Sequence, residues 1–154
     1  MGSGTDEHDD VAAPIGTLIA ALGANLLTGG GQGVMRAVSR AFTSYRGERG
    51  VCIGILPCAG IDDRRTAKPG YPNEFVELSI RTHLPYSGPR GTDDLSRNHI
   101  NVLSSDAVVA LPGGAGTASE VALTRRYAVP VIGCSTTHDL RDVERFLRSV
   151  LNLR

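Results

Sequence analysis

Residues 111–120 read Leu-Pro-Gly-Gly-Ala-Gly-Thr-Ala-Ser-Glu, and this stretch decides the fold. It follows the apolar run Asp106-Ala-Val-Val-Ala110, which indicates a buried parallel strand, and a helical pattern begins near Thr117. A strand that delivers a glycine-rich loop to a helix N-terminus presents unpaired N–H groups and the positive end of a helix dipole, which suits phosphate. Its three glycines carry no Cβ, so the backbone can approach an anion closely.

A second glycine-rich loop, Thr-Gly-Gly-Gly-Gln-Gly-Val-Met at 28–35, follows the strand-like residues 24–27. Two turns that can each bind an anion, within one small α/β chain, indicate a nucleotide-like ligand. Neither loop is the dinucleotide fingerprint, since Val34 stands where GxGxxG requires its third glycine. Neither is a P-loop, because no Gly-Lys-Ser/Thr follows, so ATP hydrolysis and ordinary NAD binding are disfavoured.

Strands alternate with helices along the chain, which predicts an α/β fold with a doubly wound, Rossmann-like parallel sheet in a single domain over residues 1–154. The predicted strands are Asn25–Leu27, Val51–Leu56, Glu74–Ile80, Ala107–Leu111 and Val129–Gly133. The predicted helices are Val11–Leu22, Gly33–Ser44, Thr92–Ser104, Thr117–Tyr127 and Asp139–Leu151.

Composition excludes several classes of partner. The 16 basic and 16 acidic residues cancel, so the charge predicts no nucleic-acid partner. No apolar run reaches the roughly 18 to 20 residues that span a bilayer, and the N-terminus is unlike a signal peptide, which predicts a cytoplasmic protein without a membrane partner. Three cysteines without CxxC spacing are expected to be reduced, and four histidines show no metal spacing, so no metal site is predicted.

Two long loops, Pro57–Asn73 and Arg81–Gly91, follow predicted strands and should lie at the carboxyl ends of the sheet, where ligands bind in such folds. Loops of this length often form binding rims, and solvated connectors are the alternative.

Residues 112–120 resemble the PGGxGTxxE signature of the LONELY GUY family, often mislabelled as lysine decarboxylases. The loop 29–35 resembles that family's GGGxxGLM, one residue shorter, and Arg97 stands 23 residues before Glu120, as in the family. Residues 96–106 and 118–123 look closer to a neighbouring branch that includes molybdenum-cofactor carrier proteins.

The resemblance implies a hydrolase that cleaves the N-glycosidic bond of a nucleoside 5′-monophosphate and requires no cofactor. It implies that Gly113, Gly114, Gly116 and Thr117 hold the phosphate. Arg97 and Glu120 would flank the ribose as the catalytic residues, with the carboxylate stabilising positive charge on the sugar or orienting a water. The remaining expected ligand-binding positions are Gly2, Ser3, Gly29, Gly30, Gly31, Gly33, Met35, Asn98 and Pro112.

Asn98 stands where the enzymes usually carry Lys, which favours an alternative function: a non-catalytic carrier of a molybdopterin-type cofactor, or a sensor of a nucleotide-derived ligand. Relatives pair through helices, so the resemblance also implies a homodimer or higher homo-oligomer.

Two structural alternatives compete with the catalytic roles. Thr117-x-x-Glu120 has the spacing of a capping box, in which the two side chains only close the helix N-terminus. Arg97 shares a polar stripe with Asn101 and Ser104, opposite Val102 and Leu103, which would be a solvated helix face.

Family members carry an apolar strand that ends in a Gly-Ser turn, and the corresponding turn here is Gly2-Ser3-Gly4. The first strand is therefore expected to be missing or reduced to a stub. Because this strand is central in a doubly wound sheet, its loss would leave two neighbours with unpaired ladder groups. We predict a weakened or rearranged sheet, which a partner chain could repair.

Overall fold

The computed structural model describes residues 1–153, which form an α/β fold. The helices are α1 (Asp9–Ala21), α2 (Val34–Ser44), α3 (Asn98–Leu103), α4 (Ala115–Arg126) and α5 (Leu140–Val150). The strands are β1 (Leu26–Thr28), β2 (Cys52–Leu56), β3 (Leu78–Arg81), β4 (Val108–Ala110) and β5 (Val131–Gly133). Two short 3-10 turns lie at Gly88–Arg90 and Thr137–Asp139.

The strands are parallel and form two sheets, β1-β2-β3 and β4-β5. This confirms the predicted Rossmann-like α/β fold, and it places a break between β1 and β4. Residues 1–3 lie beside the end of β4: the Leu111 N–H donates to the Met1 carbonyl at 2.8 Å, and the Ser3 N–H donates to the Pro112 carbonyl at 3.0 Å.

Helices α1 and α2 pack on each other and supply most of the core. Ile15 of α1 and Phe42 of α2 are fully buried, and Val143 of α5 joins the same apolar cluster. Cys52, Cys58 and Cys134 are buried free thiols, in agreement with the reduced cysteines that we predicted. Burial raises the pKa of the Cys52 thiol, which makes it a poor nucleophile.

The predicted strand at Glu74–Ile80 was too long, because β3 begins only at Leu78. Asn73 forms a turn just before β3 and accepts hydrogen bonds from two amides that follow it. The Phe75 N–H donates to the Asn73 side-chain oxygen and the Val76 N–H to the Asn73 carbonyl. Local turn chemistry therefore overrides the alternating pattern before the strand.

The helix predicted from Thr92 starts at Asn98. Residues 93–97 instead turn and bond to a neighbouring segment, with the Arg97 N–H donating to the Tyr86 carbonyl and the Tyr86 N–H to the Leu95 carbonyl. The shorter helix also changes which side chains are covered, and Leu103, expected on the apolar side, is 60% exposed.

Glu77 joins the starts of β2 and β3, and this contact predicts a pH dependence of stability. Its carboxylate accepts two bonds from the Arg49 guanidinium at 2.8 Å and one from the Cys52 N–H at 2.9 Å. The Arg49 hydrogen bond, followed by the Cys52 N–H, lowers the pKa of Glu77. A carboxyl whose pKa is lowered on folding stabilises the protein above its unfolded pKa, and the effect is lost as pH falls through the folded pKa.

We therefore expect the melting temperature to fall as the pH drops from about 5 to 3, and Glu77→Gln to flatten part of that fall. Thermal melts over this range check it. Asp62→Asn, on an exposed loop, is the control. Equal flattening in the control would contradict the assignment to Glu77.

No helix within residues 1–153 has both the length and the apolar character needed to cross a membrane.

Candidate functional site

Three segments predicted to bind ligand meet at the carboxyl ends of β1 and β4. The Ser3 carbonyl accepts a hydrogen bond from the Val34 N–H at 2.9 Å, which joins the N-terminal turn to the second glycine loop. The Ser3 N–H reaches Pro112, and a Cβ built on Gly113 would lie 2.8 Å from that same Ser3 nitrogen. The turn at 2–4, the loop at 29–33 and the loop at 113–117 therefore form one continuous surface.

The loop at 113–117 keeps its amides available. The first bond into helix α4 runs from the Ala118 N–H to the Gly114 carbonyl at 3.1 Å, and no side chain caps the helix. Within the described chain, the N–H groups of residues 114–117 consequently have no acceptor. These amides and the helix dipole favour an anion at this position.

The capping-box alternative for Thr117 and Glu120 is wrong. Helix α4 begins at Ala115 with Gly114 as its N-cap, so Thr117 lies inside the first turn, too late to cap it. The Thr117 hydroxyl oxygen is buried and has no hydrogen-bond partner among residues 1–153. The Glu120 carboxylate lies 3.7 Å from the Arg97 guanidinium and does not cap the start of α4.

Arg97 is the most informative side chain of the site, because it is a cation with only 3% of its surface exposed. The solvated-face alternative is therefore wrong, and Asn101 is also buried. The guanidinium donates to the Asn98 side-chain oxygen at 2.8 Å and lies 3.7 Å from the Glu120 carboxylate, while its Nε has no partner in the described chain. An arginine carries five N–H donors, so this group retains the capacity to bind an anion.

The predicted ligand residue Asn98 already uses its oxygen on Arg97 and is 2% exposed. Its position at the first residue of α3 orients the guanidinium. Arg97 in turn packs against Gly29, where a Cβ would overlap the guanidinium.

The loop at 29–33 is packed more tightly than the loop at 113–117. The Gly30 N–H donates to the Thr28 hydroxyl at 3.0 Å, and the N–H at the start of α2 is taken by Ser3. Gly33, the N-cap of α2, has φ +62°, a conformation that favours glycine, and the Met35 side chain lies against Gly31. The first turn of α4 also carries the unpartnered Thr117 hydroxyl, so the loop at 113–117 is the better position for a phosphate.

Sequence reasoning missed Asn73, which joins the long loop after β2 to the site. This residue is 2% exposed, and it donates from its side chain to the Gly31 carbonyl at 2.8 Å and from its backbone to the Gly30 carbonyl at 2.7 Å. Nothing in its sequence pattern distinguishes it from an ordinary turn asparagine. The loop after β3 also reaches the site, because the Ser119 hydroxyl donates to the Gly88 carbonyl at 3.0 Å. Both long loops therefore border the site.

The amino group of Met1 also lies here and was not predicted. It donates to the Val109 carbonyl at 2.8 Å. Burial lowers its pKa, with Glu120 opposing this effect and Arg97 adding to it. The group is thus an uncommon buried amine next to the Arg97–Glu120 pair.

Within residues 1–153 no three histidine, cysteine or acidic side chains are grouped so as to hold a metal ion.

Comparison with known proteins identifies the family. The family model described as the SLOG cluster4 family matches residues 1–150. The chain belongs to the SLOG cluster4 family. This SLOG cluster4 protein is 33% identical over 122 residues to an uncharacterized protein of Archaeoglobus fulgidus, a match covering 79% of the chain and 67% of its relative.

Two solved structures resemble this SLOG cluster4 protein over nearly its whole length. One is the molybdenum cofactor binding protein of the phototrophic bacterium Rippkaea orientalis, with a TM-score of 0.65 and 33% identity over 96% of this chain and 77% of that one. The other is the molybdenum cofactor carrier protein of Chlamydomonas reinhardtii, with a TM-score of 0.60 and 29% identity over 99% of this chain and 83% of that one. The predicted resemblance to the LONELY GUY and molybdenum-cofactor-carrier group is thereby confirmed.

Proposed function

We propose that this protein binds and carries a phosphate-bearing small molecule of the molybdopterin class. The observation that carries the proposal is the buried Arg97 guanidinium, whose Nε lacks a partner within residues 1–153, at a site that includes the free amides of 114–117. A buried charge with unused donors is costly unless a ligand satisfies it. A phosphate monoester is such a ligand, since it accepts bonds both from a guanidinium and from a helix N-terminus.

Each part of the site has a distinct role in this proposal. Gly113, Gly114 and Gly116 bring backbone amides to the phosphate, and the unpartnered Thr117 hydroxyl adds a side-chain donor. Pro112 anchors the N-terminal turn through its carbonyl. A molybdopterin cargo would supply the phosphate group, and the names of the two similar structures support this ligand class.

The remaining predicted positions shape the pocket. Gly2 and Ser3 lie against Gly113 and close one wall. Gly29, Gly30, Gly31, Gly33 and Met35 form the surface next to this turn, where Gly29 leaves room for the Arg97 guanidinium. Asn98 holds that guanidinium in place through its amide oxygen.

A phosphoribohydrolase is the second candidate function, and Glu120 is the observation that favours it. Its side chain is 14% exposed, lies near a buried cation and is not used for helix capping. A carboxylate at this position could stabilise positive charge on a ribose or orient a water. No group among the described site residues is placed to protonate the leaving base, and for that reason the carrier function is preferred.

Small molecules retained by the purified protein, identified by mass spectrometry, test the two functions. We expect molybdopterin to be retained and recovered intact, with binding unchanged in Glu120→Gln. The parallel assay incubates the protein with AMP and modified-adenine monophosphates. Release of free base, abolished in Glu120→Gln, would establish the hydrolase and overturn the carrier, whereas a protein that binds neither ligand class would contradict both.

A cytoplasmic location and assembly into a homodimer or higher oligomer stay predictions.

A further inference from the structure

The 3-10 turn at Gly88–Arg90 lies along the side of the first turn of α4. A Cβ built on Gly116 would lie 3.0 Å from the Gly88 Cα, and the Ser119 hydroxyl donates to the Gly88 carbonyl at 3.0 Å. Gly88 has φ +62°, a conformation that favours glycine. Because residues three apart are neighbours on one side of a helix, these contacts place the turn on the flank of α4.

The same turn reaches the residue that holds the Arg97 guanidinium. A Cβ built on Gly91 would overlap both the Ser119 hydroxyl and the Asn98 side-chain nitrogen. The Asn98 oxygen in turn accepts a hydrogen bond from Arg97 at 2.8 Å. Arg90, which precedes Gly91 in the chain, therefore stands on the Arg97 side of the proposed phosphate site.

Arg90 is an exposed cation whose position is nevertheless fixed. Its Nε donates to the Asp93 carboxylate at 2.7 Å, and its guanidinium lies 3.5 Å from the centroid of the Tyr86 ring. Tyr86 is itself held by backbone hydrogen bonds with Leu95 and Arg97. An arginine held through its Nε and its flat face has less rotamer freedom to lose when it binds a ligand.

The terminal nitrogens of Arg90 are the part of the side chain that a ligand can use. Within residues 1–153, Nε is the one Arg90 nitrogen that is hydrogen-bonded to a carboxylate. The side chain is 58% exposed and is therefore accessible to a ligand. The planar fork of a guanidinium matches the spacing of two phosphate oxygens.

We propose that Arg90 binds a second phosphate group of the ligand, so that the site selects a diphosphate over a monophosphate. The inference rests on the proposed function, in which the first phosphate is bound by Arg97 and by the free amides of 114–117. Those amides and the helix dipole act at the end of α4, whereas Arg90 belongs to the turn on its flank. A second phosphate joined to the first would extend from the helix end to this flank.

Titration calorimetry with AMP and ADP, in the absence of divalent cations, tests the proposal. We expect the unmodified protein to bind ADP about tenfold more tightly than AMP. The effect is smaller than that of a buried arginine, because Arg90 is exposed and already paired with Asp93. Arg90→Met should remove the preference for ADP and leave the affinity for AMP within about twofold of its original value.

A second variant separates ligand binding from a purely structural role of the Arg90–Asp93 ion pair. Asp93→Asn removes a carboxylate that competes with phosphate, so we expect the preference for ADP to rise about threefold. If the pair only held the turn in place, Arg90→Met and Asp93→Asn would change the affinities in the same direction. The matched control is Arg145→Met, which breaks an exposed ion pair with Asp142 in α5 and should leave both affinities unchanged.

Three results would overturn the inference while the unmodified protein still binds AMP, so that the proposed phosphate site stands. These are equal affinities for AMP and ADP in the unmodified protein, an equal loss of both affinities in Arg90→Met, and the same change in Arg145→Met. Absence of binding for both nucleotides would also overturn it, and the mass-spectrometric search for retained molybdopterin then decides whether the proposed function stands.

Discussion

Replacing Arg97 by methionine is expected to weaken binding of a phosphate-bearing ligand by about 100-fold. The buried guanidinium donates to Asn98 and keeps its Nε free of any partner in the described chain. A charge-assisted hydrogen bond contributes about 1.5 to 3 kcal/mol, so one such bond lost to a phosphate gives a reduction of this size. Methionine fills much of the same volume without donors, and titration calorimetry with AMP or molybdopterin measures the change.

Removing one partner of a buried ion pair is destabilising, whereas replacing both partners by neutral side chains is often tolerated. Arg97→Met combined with Glu120→Gln therefore gives the fairest measurement of stability. Arg46→Met, at an exposed position, is the matched control and should keep full affinity. Undiminished binding in Arg97→Met, or an equal loss in Arg46→Met, would show that this guanidinium is not a ligand donor.

Gly29→Ala is expected to reduce both stability and ligand affinity. A Cβ at this position would overlap the Arg97 guanidinium, and side chains forced into a packed site typically cost about 1 to 3 kcal/mol. The displaced guanidinium could no longer hold a ligand in the same place. Urea unfolding and AMP titration measure the two effects. Gly133→Ala, where a Cβ would meet no atom within 4 Å, is the control for losing a glycine.

A double-mutant cycle makes this second prediction specific. In Gly29→Ala/Arg97→Met the added methyl group meets a more flexible side chain, so part of the lost stability should return while binding stays weak. If the two changes in unfolding free energy simply add, the steric conflict between Gly29 and Arg97 is not the cause.

The sequence predicted the α/β fold and the glycine turn between β4 and α4 because these depend on local patterns. The apolar run at 107–111 and the glycines after it specify a strand, a tight turn and a helix within about twenty residues. The division of the strands into two sheets also agrees with the rearranged sheet that the sequence predicted.

The role of Arg97 could not be read from spacing, because its burial depends on distant segments. Arg97 is covered by Gly29 and paired with Glu120, neither of which is near it in sequence. The capping box failed for a related reason. Helix α4 begins two residues earlier than the pattern suggested, and that small shift turns Thr117 from a cap into an unpartnered hydroxyl. Asn73 was missed because its contacts with the glycine loop are wholly long-range.

The proposed ligand site draws on both sheets, with Gly29 following β1 and residues 113–117 following β4. Where strands are not bonded across a break, the two sides can open as separate cooperative units. A ligand bound by residues of both sheets would act as a non-covalent crosslink, because opening either sheet would break the contacts of that sheet with the ligand. Part of the free energy of ligand binding would then stabilise the two sheets as one folding unit. The protein would therefore become more rigid as the fraction with bound ligand rises.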